Sequence, residues 1–132
     1  MILDTSAIVA ILQDEPESPD FTRAVENNRP VRISAANWLE AAVVVDGNRS
    51  PALSRRFDEF LREAGVKIES VSIQQAELAR EAYRAFGKGS GHPAHLNFGD
   101  CFAYALAMER DEVLLFKGKD FAHTDVRRIA MS

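Results

Sequence analysis

The run Asn97-Phe98-Gly99-Asp100-Cys101-Phe102-Ala103-Tyr104-Ala105-Leu106-Ala107 leaves a folding chain few choices. Its alanines and large apolar residues read as a helix with almost no side for solvent, so other elements must cover it. Asp100, Ala103, Tyr104 and Ala107 share one face of that helix, and Phe102 and Leu106 share another. Gly99 is expected to supply the backbone turn that closes the preceding loop. Asp100 then falls in the first turn, where the partial positive charge of a helix N-terminus favours a carboxylate. An acid at the head of a buried helix needs a physical reason. Asp4, Glu40 and Asp120, also set among apolar residues, point to one.

Read from its start, the chain alternates short apolar strands with amphipathic helices. Ile2-Leu3-Asp4 is a short strand, and Thr5 or Ser6 is expected to cap a helix from Ala7 to about Leu12. Proline-broken polar sequence follows, and then a short helix marked by Phe21, Ala24 and Val25. Val31-Arg32-Ile33 is a second strand. Ser34 opens a helix in which Trp38, Ala41, Ala42 and Val45 recur at helical spacing around Glu40. Leu53, Phe57, Phe60, Leu61 and Ala64 form the clearest stripe on the chain, stopped by Gly65. A strand over 66–71 leads to Ser72 and Gln75, which have capping-box spacing ahead of a helix through Phe86. Gly87 to Gly99 reads as a long loop.

After the Asp100 helix, Val113-Leu114-Leu115-Phe116 is continuously apolar, as a strand covered on both faces must be. A last edge strand is expected over 126–131. This alternation predicts an α/β sandwich with a mostly parallel sheet. In such a sheet, sites form at the carboxyl ends of strands and at the helix starts beside them. Asp4 ends the first strand, Asp120 lies just past the last long one, Asp100 begins a helix, and Glu40 lies within one.

Gathering those acids would be costly. Two carboxylates ~5 Å apart repel by roughly 3 kcal/mol at an effective dielectric of about 20, in a fold whose whole stability is about 5–15 kcal/mol. Either they are dispersed or a cation compensates them. All-oxygen donors favour Mg²⁺, with Mn²⁺ as a substitute, over Zn²⁺. Such an ion can activate water for in-line attack on a phosphodiester.

Four segments now carry a resemblance: Ile2-Leu3-Asp4-Thr5-Ser6-Ala7, Glu40 in its small-apolar helix, Asn97-Phe98-Gly99-Asp100-Cys101, and Leu115-Phe116-Lys117-Gly118-Lys119-Asp120-Phe121. In this order, across essentially the whole chain, they resemble a PIN domain. More narrowly, they resemble the toxin ribonucleases of bacterial VapBC-type toxin–antitoxin pairs. The resemblance implies one PIN-like three-layer α/β/α domain over residues 1–132. It implies a Mg²⁺-dependent endoribonuclease, acting on RNA as a homodimer and inhibited by a cognate antitoxin. It assigns Asp4, Glu40, Asp100 and Asp120 as catalytic metal ligands, Asp120 matching the most variable of the four positions. Thr5 or Ser6 and Asn97 match supporting positions.

Other readings compete. Asp4 or Asp120 alone would be an ordinary cap or turn residue, and Glu40 alone a solvated helix acid. A phospho-acceptor receiver domain is also α/β, acidic and Mg²⁺-binding, but it needs paired acids after its first strand, and Thr5-Ser6 follows Asp4. A non-catalytic protein-binding module would keep the acids without using them. His92 and His95 have a possible zinc spacing but no evident fourth ligand. Lys88, Lys117, Lys119 and the histidines could contact phosphate locally, although the formal net charge of −4 is the wrong sign for a broad nucleic-acid face. One cysteine, no N-terminal secretory pattern and no apolar run near the ~20 residues of a membrane span lead to the expectation of a cytoplasmic protein without a membrane partner. Cys101 is expected to be a small buried residue.

Overall fold

The structure, a computed structural model, describes residues 1–129. Its elements run β1 (Ile2–Leu3), α1 (Thr5–Leu12), α2 (Ser18–Asn27), β2 (Arg32–Ser34), α3 (Ala35–Gly47), α4 (Pro51–Glu63), β3 (Lys67–Glu69), α5 (Ile73–Phe86), α6 (Phe98–Arg110) and β4 (Leu114–Leu115), then a 3₁₀ turn over Phe121–His123. The strands lie in the order β3-β2-β1-β4. Every pairing is parallel, with Ile2 opposite Arg32 and Leu114, and Ile33 opposite Ile68.

Strand pleating explains how so small a sheet is covered twice. Alternate side chains leave opposite faces. Ile2 and Leu114 pack with Ala103, Leu106 and Ala107 of α6 and Ala79 and Ala82 of α5. Leu3, Ile33 and Leu115 pack with Ala7 and Ala10 of α1 and Phe21, Ala24 and Val25 of α2. The helices therefore form outer layers on both faces of the sheet, as the unbroken apolar run at 113–116 requires. Ile8, Leu12, Ala41, Val45 and Phe57 join α1, α3 and α4 in a third cluster.

Local sequence places most helix ends. Ser34 Oγ accepts from the Ala36 amide and Ser72 Oγ from the Gln75 amide. The Gln75 side chain does not complete a capping box, because its Nε2 donates to Glu109 at 3.0 Å. After α4 the Gly65 amide donates to Arg62 O and the Val66 amide to Leu61 O, the paired bonds of a Schellman stop. Gly65 has φ +64°, and nothing lies within 4 Å of the place a Cβ would take. Gly65→Ala is therefore expected to lose about 1 kcal/mol through backbone strain alone. Urea unfolding would show it as a lower midpoint at unchanged slope.

Three expectations shift. The cap of α1 is Asp4, not Thr5 or Ser6: its carboxylate accepts from the Ser6 amide and the helix begins at Thr5. α6 begins at Phe98, so Gly99 lies inside the helix, and Asn97 rather than Gly99 ends the loop. In place of a strand from 126, Arg128 alone bridges to Leu114, and residues 130 and 131 lie outside the described residues. No helix among the described residues is long and apolar enough to cross a membrane.

Candidate active site

The strand order reverses beside β1. The chain builds outward through β2 and β3, then returns to place β4 on the other side of β1. Such a switch point opens a crevice at the carboxyl ends of the two diverging strands. Asp4 follows β1 there, and Lys117 follows β4 close by. A cleft of about 340 Å³ lies against them, walled by Asp4, Thr5, Ser6, Glu40, Asn97, Asp100 and Lys117, among others.

Asp4 is 3% exposed. Its Oδ2 accepts from the Ser6 amide (3.0 Å) and the Ser6 hydroxyl (2.5 Å). The same hydroxyl accepts from the Lys117 amide at 2.9 Å, tying the ends of β1 and β4 together. Oδ1 is buried and has no hydrogen-bond partner among the described residues. Burial pushes the Asp4 carboxyl up to about 7, the charges of Asp100 and Glu40 push the same way, and the Ser6 bonds only partly oppose them. Asp100 is held by a full capping box: its amide donates to Asn97 Oδ1 (2.8 Å) and its Oδ2 accepts from the Asn97 amide (3.0 Å). Its carboxyl is also raised, first by burial and then by the charges of Asp120 and Glu40, against the lowering effects of the Asn97 bond and Lys88.

Glu40 reaches the cleft from the middle of α3. Thr5 Oγ1 donates to its Oε1 at 2.5 Å, with the Asn37 carbonyl also in reach at 3.2 Å. Asn37, wholly buried one turn earlier, donates from Nδ2 to the Gly99 carbonyl at 2.9 Å, with Glu40 Oε1 at 3.5 Å. Gly99 makes this approach possible. A Cβ on it would stand 2.3 Å from Glu40 Oε2 and 2.7 Å from Oε1. The missing side chain thus leaves room for the Glu40 carboxylate between α3 and α6, a role that sequence reading missed along with Asn37.

Asp4, Glu40 and Asp100 therefore share one cleft. Asp120 is exposed just before the 3₁₀ turn and does not line the cleft wall, though its charge reaches Asp100. Among the described residues no three carboxyl, imidazole or thiol groups close on one point tightly enough to form a ready-made ion cage. The arrangement is instead an open, acid-lined crevice. Its donors are hard oxygens, and the buried, unpartnered Asp4 Oδ1 beside two further carboxylates suits a divalent cation better than a neutral ligand. His92 serves its own loop, its Nδ1 accepting from the Ala94 amide and its ring packing edge-on against Phe86. Cys101 is buried, and that burial lifts its thiol to about 11, as expected of a packing residue. A larger cavity of about 580 Å³ beside Phe21, Leu115 and Ile129 has no acid among the described residues of its wall.

Residues 1–127 match the PIN domain, and the chain belongs to that family. Within it the chain falls with the VapC ribonucleases. It is 54% identical over 128 residues to Ribonuclease VapC28 of Mycobacterium tuberculosis, covering 97% of this chain and 96% of that one. The fold matches the crystal structure of M. tuberculosis VapC20, described as a sarcin–ricin loop cleaving toxin, with a TM-score of 0.74 at 14% identity over 97% of both chains. It also matches VapBC2 from Rickettsia felis, solved bound to a DNA fragment from its promoter, with a TM-score of 0.71 at 16% identity over 96% of this chain and 94% of that one.

Proposed function

We propose that the chain is the toxin of a type II toxin–antitoxin pair, an endoribonuclease that cleaves RNA phosphodiester bonds with Mg²⁺, or Mn²⁺ in its place. The observation that carries this reading is the convergence of Asp4, Glu40 and Asp100 on one cleft at the sheet's switch point. Those three residues would hold the ion, with Asp120 at the rim adding negative charge beside Asp100. When bound, the cation would supply a water of lowered pKa and neutralise charge on the phosphate under attack.

The chain's own residues prepare the rest. Ser6 fixes Asp4 and Asn97 fixes Asp100, each from the same turn of chain, whereas Thr5 fixes Glu40 from across the cleft, between α1 and α3. Because burial raises the Asp4 carboxyl to about 7, ion binding below that pH must displace its proton, and loading strengthens as pH rises towards 7. Incubating purified protein with total cellular RNA tests the reading. Discrete fragments with 5′-phosphate and 3′-hydroxyl ends are expected with Mg²⁺ and none with a chelator. Equal cleavage in chelator would contradict it.

The partners follow from the same reading: a cognate antitoxin, and a second copy of this chain. Leu39 and Val43, 56% and 63% exposed, lie one turn apart on α3, and such an unpartnered apolar face supports self-association. Val43→Asp is expected to convert a dimer into a monomer in sedimentation at unchanged secondary structure. A dimer that survives the substitution places its interface elsewhere.

A further inference from the structure

Among the described residues, Lys117 is the single cation in the wall of the acidic cleft. Two features of its setting are unusual for a surface lysine. Its backbone is anchored to the site, since its amide donates to the Ser6 hydroxyl that in turn donates to Asp4. Its ammonium, however, is turned onto the segment joining α1 and α2, where it contacts the Glu15 carboxylate and lies 3.4 Å from Glu17 Oε2. Glu15 also lines the cleft. The ion pair therefore lies at the cleft wall, with the lysine's backbone anchored and its ammonium held by two acids.

We propose that Lys117 is a substrate-binding residue for the RNA backbone, and that Glu15 and Glu17 form a latch that holds its ammonium until a phosphate replaces them. The inference rests on the ribonuclease reading above and adds to it the residue that contacts the backbone, and its restraint. The exchange is physically accessible. All three side chains are between 28% and 39% exposed, so their attraction is weakened by solvent and salt. A phosphate diester offers the same kind of anionic oxygen acceptor, and lysine suits it as a mobile point charge on a flexible stem. In a cleft whose other charged wall residues, among those described, are the acids Asp4, Glu15, Glu40 and Asp100, a cation that changes partner would let a polyanion approach without a broad basic face, consistent with the net charge of −4. No covalent step is involved.

A double-substitution cycle tests it. Binding of a fluorescein-labelled mixed-sequence single-stranded RNA is measured with Mg²⁺ in an Asp100→Asn background, at salt near 0.15 M, where a Debye length of about 8 Å damps general charge effects. Glu15→Gln with Glu17→Gln is expected to tighten binding roughly two- to fivefold, the range of an exposed ion pair. Lys117→Met is expected to weaken it and to make the plot of log K against log salt shallower by about 0.7, as for one lost phosphate contact on a single strand. In the Lys117→Met background the two glutamine substitutions are expected to give no gain. An equal gain in both backgrounds would mean that the glutamates merely repel RNA, and would overturn the latch. An unchanged salt slope in Lys117→Met would overturn the phosphate contact. Cleavage by the unsubstituted chain separates the two levels. If it cleaves RNA while the cycle fails, only this inference falls; if it neither cleaves nor binds RNA, the ribonuclease reading falls and takes the inference with it.

Discussion

Gly99→Ala is expected to cut the rate of RNA cleavage about 100-fold while leaving the fold intact. The added methyl would lie 2.3 Å from Glu40 Oε2 and 2.8 Å from Glu40 Cδ, and a flexible carboxylate yields more readily than a helix backbone. Glu40 would swing away from Thr5 and from the cleft, and misplacement by about 1 Å at a reacting centre can cost on the order of 100-fold. The stability change should be small, because alanine gains roughly 0.5–1 kcal/mol over glycine within a helix and this offsets the loss of the Thr5–Glu40 bond. Single-turnover cleavage beside thermal unfolding checks both halves. Asn37→Leu, which cannot donate to the Gly99 carbonyl, should share the defect but unfold earlier. Full activity in Gly99→Ala would show that the reaction does not need Glu40 where α3 places it.

Asp4→Asn is expected to abolish cleavage and yet to stabilise the ion-free protein at alkaline pH. The Asp4 carboxyl moves from its ordinary 3.8 to about 7 on folding, chiefly because it is buried. The folded state therefore binds this proton more tightly than the unfolded state. Its contribution to stability is complete below about pH 4 and is lost as pH rises through about 7. The full difference is on the order of 4 kcal/mol, so in chelator the protein should melt several degrees lower at pH 8 than at pH 5. Asparagine carries no charge to desolvate and caps helices as well as aspartate does, so the variant should lose most of that pH dependence. Mg²⁺ should stabilise the unsubstituted protein at pH 8 by binding the folded form and should do little for Asp4→Asn. A pH profile unchanged by the substitution would place the titrating group elsewhere.

What the sequence makes legible is whatever depends on neighbours along the chain. The stripe of α4, its stop at Gly65 and the caps at Ser34 and Ser72 follow from local spacing and stand in the structure, and the doubly covered run at 113–116 holds the strand, which is confined to Leu114–Leu115. The acids are legible because carboxylates in apolar surroundings are conspicuous in any order. What escapes depends on partners distant in sequence. Asn37 looks like any polar residue in a helix until α6 brings the Gly99 carbonyl to it. Gly99 looks like a turn because glycine usually signals one, whereas here its lack of a side chain opens space between two helices. Ser6 has the look of a cap, but its hydroxyl joins Asp4 to the end of β4 more than a hundred residues later. Each supports a carboxylate that is already conspicuous in the sequence.

The most direct test compares the unsubstituted chain with Asp100→Asn on total cellular RNA in Mg²⁺, with the melting temperature followed as Mg²⁺ is added. Asparagine keeps the shape of the aspartate and removes its charge, so the variant should fold. The shared-cleft account predicts discrete RNA fragments and a rise in melting temperature for the unsubstituted chain, and neither for Asp100→Asn. Undiminished cleavage by a folded Asp100→Asn would contradict it, because the cleft at the end of β1 would then not be where the reaction occurs.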